Sequence, residues 1–195
     1  MLRFVMTVAF LALIANSAVA ADLLTYEAPG WKYKQVQWND PLSETFYAIS
    51  FDDADWGISQ AAFGNFGELN APPPFCAAVY TVHTQWDLST DLLLRRYFLA
   101  GMTDPVRIYL SIDNDATVYV NGVEVFTTTH EGCPLPDDFV IGVPIALLSP
   151  TGVNLLAVRA SDRGWFCFVD VQITGDYPPV AVEGSTWGAV KALYR

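Results

Sequence analysis

Positive charge is scarce in this chain: ten lysines and arginines stand against 21 aspartates and glutamates, for a net charge of −11. So acidic a surface repels phosphate backbones and anionic bilayers, which argues against nucleic acid or acidic lipid as a partner. Histidine is rarer still, with His83 and His130 alone, and neither has the spacing of a nucleophile–His–acid set. The sequence has no GxSxG elbow, HExxH, P-loop or EF-hand loop, so it is not expected to be an enzyme. The three cysteines include no CxxC pair, which removes the common zinc and dithiol redox arrangements. Helical periodicity is almost missing. Beyond the first twenty residues no run approaches the roughly 20 apolar residues that cross a bilayer.

Those first twenty residues read as a secretory signal. Arg3 supplies the positive start, residues 4–14 form a short apolar stretch, and Ala18-Val19-Ala20 is a small-residue cleavage site. Cleavage after Ala20 would place the product outside the cell or on the exterior of the envelope. In that oxidising setting Cys76, after Pro72-Pro73-Pro74, and Cys133, in Gly132-Cys133-Pro134, lie in loop-like sequence and are expected to pair. Cys167 shares a strand face with Val169, Val171 and Ile173 and reads as a buried free thiol. The competing reading, three reduced thiols, belongs to a cytosolic protein.

What the chain does have is period-two alternation. Val106, Ile108, Leu110 and Ile112 are followed by Ala116, Val118 and Val120, which puts one side of each strand in a core and the other in water. Asn121-Gly122 is a strong hairpin signal, because a type I′ turn needs positive φ at both central residues. Asp113-Asn114-Asp115 reads as another turn. Further strands are expected at 23–39, 45–51, 79–84, 92–99, 139–142, 145–148, 153–160 and 165–174, with a long loop at 57–74 and another at 127–136. Many short strands with regular turns predict an all-β sandwich. Asp176-Tyr177-Pro178-Pro179 ends the sandwich, and residues 180–184 read as a linker. Residues 185–195 could form a short helix capped by Ser185, with Trp187, Val190 and Tyr194 on one face.

The run of FDDADW, LLLRRYF, the DND–VNG core, HEGC, GVNLLAVRASDRG and FVDVQITG resembles the galactose-binding-like jelly-roll domains of secreted bacterial proteins, similar to the sugar-binding modules of glycosidases. The resemblance covers residues 38–175 and implies an all-β jelly-roll β-sandwich with a short C-terminal extension: a signal peptide at 1–20, the domain at 21–175 and a linker and tail at 176–195. It implies an exported, non-catalytic module that binds carbohydrate or another cell-surface ligand. The alternative is a structural subunit of an extracellular assembly, associating through Ser185 to Arg195 and through strand edges.

Sugars stack their C–H faces on aromatic rings and bond their hydroxyls to nearby polar side chains. Trp56, Trp86 and Trp165, with Asp162 and Arg163, fall at strand ends or loops and are the candidate ligand contacts. The competing reading for each tryptophan is core packing. Asp52, Asp53 and Asp55, together with Asp113 and Asp115, supply the carboxylates that Ca²⁺ favours. Domains of this type often carry one structural Ca²⁺, so these acids are candidate ligands, while the plainer reading makes Asp52 and Asp113 Asx-turn residues.

Overall fold

The computed structural model describes residues 21–65, 68–71, 80–102 and 105–176. The expected signal, Cys76 and residues 177–195 lie outside them. Among the described residues there are eleven strands: β1 (Ala21–Leu24), β2 (Trp31–Val36), β3 (Gly57–Ser59), β4 (Phe63–Gly64), β5 (Thr84–Gln85), β6 (Asp91–Leu99), β7 (Val106–Val120), β8 (Val123–His130), β9 (Phe139–Val143), β10 (Val153–Ser161) and β11 (Phe168–Gly175). The fold is the expected all-β sandwich.

The two layers share β7. Its first half pairs with β9 on one side and β11 on the other, and β11 continues to β1 at one end and β4 at the other. Its second half pairs with β8 and β10, and that sheet runs on through β6 and β2 to β3. All these pairs are antiparallel, and β4–β5 is parallel. Asp113-Asn114-Asp115 is therefore not a turn. Asp113 is the last β7 residue opposite β11, through Phe168, and Asp115 is the first opposite β10, through Ser161. The turn preference of Asp and Asn gives way to ladder pairing on both flanks, as strand context commonly overrides local preference. At Asn121-Gly122 the expected turn does form, with φ +51° and +85°.

Even-numbered residues of β6, β7 and β10 and odd-numbered residues of β11 fill the space between the sheets. Leu92, Leu94, Ile108, Leu110, Val118, Val158, Val169 and Ile173 all lie in this core with Trp31, Phe63 and Trp86. Each aliphatic chain so enclosed contributes about 1.5–3 kcal/mol relative to exposure.

The segment expected as a strand at 45–51 is instead a lid on the outside of the second sheet. Asp40 caps a short 3-10 helix, Pro41–Glu44, by accepting from the Leu42 N–H at 2.8 Å, and Pro41 occupies its first turn. Phe46, Trp56 and partly buried Phe51 then pack on Leu93, Ala157 and Tyr119 of the sheet's outer face. Turn chemistry at 39–41 breaks the strand pattern, and the aromatics find a sheet face as a layer above it rather than as a ladder within it. Other local corrections are smaller. The stretch 23–39 is β1 and β2 with a turn between them, 57–74 contains β3 and β4, Ile145–Leu147 is a 3-10 turn, and β8 runs on to His130 where a loop was expected.

Candidate functional site

The outer face of the second sheet follows from register. Directly paired residues project to the same side, so Asp91, Ser161 and Asp115 form one row across β6, β10 and β7. Leu93, Arg159 and Thr117 form the next row, and Arg95, Ala157 and Tyr119 the third. The lid covers the middle of this face. At the Asp91 end the face stays open as a cleft of about 510 Å³.

Asp91, Ser161, Asp115 and Arg159 make the floor of the cleft, and the approach to the lid makes its wall, with Trp38, Asn39, Ser43 and Glu44. Arg163, on the loop after β10, closes the rim. Trp38 is 47% exposed. Below it the charges are arranged in pairs. Arg159 Nη1 lies 3.6 Å from Glu44 Oε1. Arg163 lies 3.0 Å from Asp115 through Nη2 and 2.8 Å from Glu131 through Nη1. Its Nη2 also donates to the His130 carbonyl at 3.1 Å, and its backbone N–H to Asn114 Oδ1 at 3.0 Å. Asp91 is buried and accepts from Ser43 Oγ at 3.4 Å. Behind Arg163, burial and then the Asp162 charge push Asp113 up from 3.8 to about 6.

The sequence-derived candidates divide sharply. Arg163 lines the cleft. Trp165, two residues on, is 86% exposed with φ +97° and is not part of the cleft lining. Asp115, proposed for Ca²⁺, faces the cleft as an ion-pair partner. Trp86 and Trp56 are corrected: Trp86 is fully enclosed and donates from its indole N–H to Thr90 Oγ1 at 3.1 Å, while Trp56 is buried against Phe46 and Phe51. Neither has a face left for a ligand. Asp162 is also enclosed, and accepts from the Ser89 N–H at 2.5 Å.

The acids of FDDADW do not converge. Asp52 accepts from the Ala54 N–H at 3.0 Å, an Asx-turn. Asp53 meets Arg95 and Lys32, and Asp55 meets Lys34. Asp113 accepts from its neighbour Asn114. Among the described residues no group of three or more His, Cys, Asp or Glu is placed to hold a metal ion.

Sequence reading missed Trp38, Arg159 and Asp91. Trp38 reads as one more aromatic of an opening strand, and Arg159 as a charge inside β10. Their shared face follows from the β6–β10–β7 register, which residues 68 apart, such as Asp91 and Arg159, do not announce.

No family model matches this chain, and no curated protein matches it. Solved structures do resemble it. A Bacteroides uniformis beta-glucuronidase aligns at 15% identity over 77% of this chain and 17% of that one, with a TM-score of 0.54. A calcium-binding mutant of Bacteroides uniformis beta-glucuronidase 2 aligns at 16% identity over 80% and 18%, with a TM-score of 0.53. The chain therefore spans less than a fifth of those proteins. At such identity the likeness establishes the fold: a β-sandwich of the kind found within glycosidases.

Proposed function

We propose that this is an exported, non-catalytic domain of the galactose-binding-like type that binds carbohydrate in the Trp38 cleft. The observation that carries this reading is the pairing of a half-exposed indole with a floor of hydroxyl, carboxylate and guanidinium groups. A sugar ring laid on Trp38 would bury its C–H face and direct its hydroxyls to Asp91, Ser161, Asp115 and Arg159. The occurrence of the same fold within glycosidases supports the reading as an analogy of architecture.

A binding role suits the charges better than hydrolysis. Glycosidases of the usual kind place two carboxyl groups on either side of the scissile bond. Here Asp115 is held by Arg163 and Glu44 by Arg159, which leaves Asp91 as the cleft carboxylate without a cation among the described residues. Export, cleavage after Ala20 and a Cys76–Cys133 disulfide belong to the same proposal. The disulfide is supported by Cys133 standing as a bonded sulfur while Cys167 is a free thiol.

The test is retention on insoluble polysaccharides and on a glycan array, with Trp38→Ala as the control. Retention by the parent chain and loss in the variant are expected. Retention of neither, or turnover of the bound glycan, contradicts the proposal.

A second reading, the assembly subunit, rests on the opposite end of the same face. There Tyr97, Leu99 and Val153 are 52%, 49% and 47% exposed. The Gly101 N–H donates to the Asp176 carbonyl, so Asp176, the last described residue, lies near this apolar end. Sedimentation of the chain with and without residues 185–195 separates the readings: only an assembly subunit changes its mass.

A further inference from the structure

We infer that the cleft selects uncharged sugar chains and rejects uronates, an inference that rests on the carbohydrate reading above. The reasoning starts from what the cleft has left to offer. A carboxylate is recognised best by a guanidinium that presents two parallel N–H groups. Each cleft guanidinium already faces a carboxylate, Arg163 in close ion pairs and Arg159 in a longer one at 3.6 Å. Arg163 spends Nη1 on Glu131 and Nη2 on Asp115 and the His130 carbonyl, and Arg159 faces Glu44.

Asp91 supplies the opposite demand. It is 5% exposed, its hydrogen-bond partner is the Ser43 hydroxyl at 3.4 Å, and among the described residues it makes no ion pair. An ionised carboxylate only accepts, with room for about four hydrogen bonds. At Asp91 the floor therefore offers acceptors and asks for donors. A sugar hydroxyl meets that need. A uronate carboxylate brings a second negative charge to a cleft whose lining holds Glu44, Asp91 and Asp115 against Arg159 and Arg163. Trp38 does not alter the choice, because stacking on a C–H face is available to either sugar. The discrimination lies in the floor, with Asp91 as the specificity residue.

The experiment is an array of matched oligosaccharides: galactan with galacturonan, mannan with mannuronan, and glucan with glucuronan. Binding of a neutral member about tenfold or more above its uronate partner is expected. Added salt should narrow the gap by screening, and Asp91→Asn, which removes a carboxylate from the floor, should lower the ratio of neutral to uronate binding. The salt series uses the parent chain and does not depend on how the variant folds. Equal or stronger binding of the uronates overturns the inference and leaves the carbohydrate reading standing. Binding of neither series overturns both.

Discussion

Arg95 on β6 and Asp53 in the lid form a clamp across the outer face of the second sheet. Arg95 Nε lies 2.8 Å from Asp53 Oδ2, and the two side chains are 1% and 20% exposed. The same guanidinium donates to the Phe46 and Ala48 carbonyls and lies 5.4 Å from the centre of the Phe51 ring. One buried cation thus holds the lid at several points, and the lid edge forms the wall of the cleft.

Breaking the clamp should be costly, because removing Asp53 leaves the buried Arg95 charge without its counter-ion. Asp53→Ala is expected to lose about 3 kcal/mol of unfolding free energy in urea titrations. A loss below about 1 kcal/mol, the range of exposed ion pairs, would show that the lid does not depend on it.

The tryptophans should separate into two classes. Trp86→Ala opens the core and should cost about 3–5 kcal/mol. Trp38→Ala removes a half-exposed ring and should change stability by about 0.5 kcal/mol or less while abolishing glycan retention. Denaturant midpoints and affinity electrophoresis on the same samples check both halves.

Two buried acids set a pH dependence. Burial pushes Asp170 up from 3.8 to about 8, and Asp113 is raised from 3.8 to about 6 by burial and then by Asp162. A carboxyl whose folded pKa lies above its unfolded value binds more protons in the folded chain. Its contribution to stability is complete below the unfolded pKa of 3.8 and falls as pH rises through about 6 for Asp113 and about 8 for Asp170. Asp170→Asn and Asp113→Asn should therefore gain stability relative to the parent chain as pH rises from about 4 to about 9. Thermal melts across that range check this, and a difference that does not vary with pH would contradict it.

Cysteine accessibility is equally specific. Cys167 is fully buried, and burial pushes its thiol well above the ordinary range, so it should be inert in the folded state. Alkylation without reductant should label no cysteine in the folded chain and one after unfolding. Three should be labelled once reductant is added, matching the three cysteines of the sequence. Mass spectrometry reads each number directly.

Much of the fold was legible because side-chain alternation is a local signal. The even-numbered residues from Val106 to Val120 name the core side of β7 without any knowledge of partners. Asn121-Gly122 names its turn from backbone chemistry alone. The Asp113-Asn114-Asp115 triplet misled because its composition favours a turn while its neighbours in space demand a strand. The site was less legible for a related reason. Loop position suggested Arg163 and Trp165; Arg163 is at the rim and Trp165 stands in solvent. The floor required knowing that Asp91 stands opposite Ser161, and Ser161 opposite Asp115, which is a fact of register. Trp56 and Trp86 show the reverse error, since position at a strand end does not separate a ring that faces water from one that turns inward.

The most direct measurement is an NMR titration of the isotopically labelled domain with a neutral oligosaccharide retained on the array. The indole N–H of Trp38 and the guanidinium resonances of Arg159 and Arg163 should shift together and saturably, while those of Trp31 and Trp86 stay in place. Shifts confined to Trp165, or to Tyr97 and Val153 at the far end of the sheet, would contradict binding in the cleft.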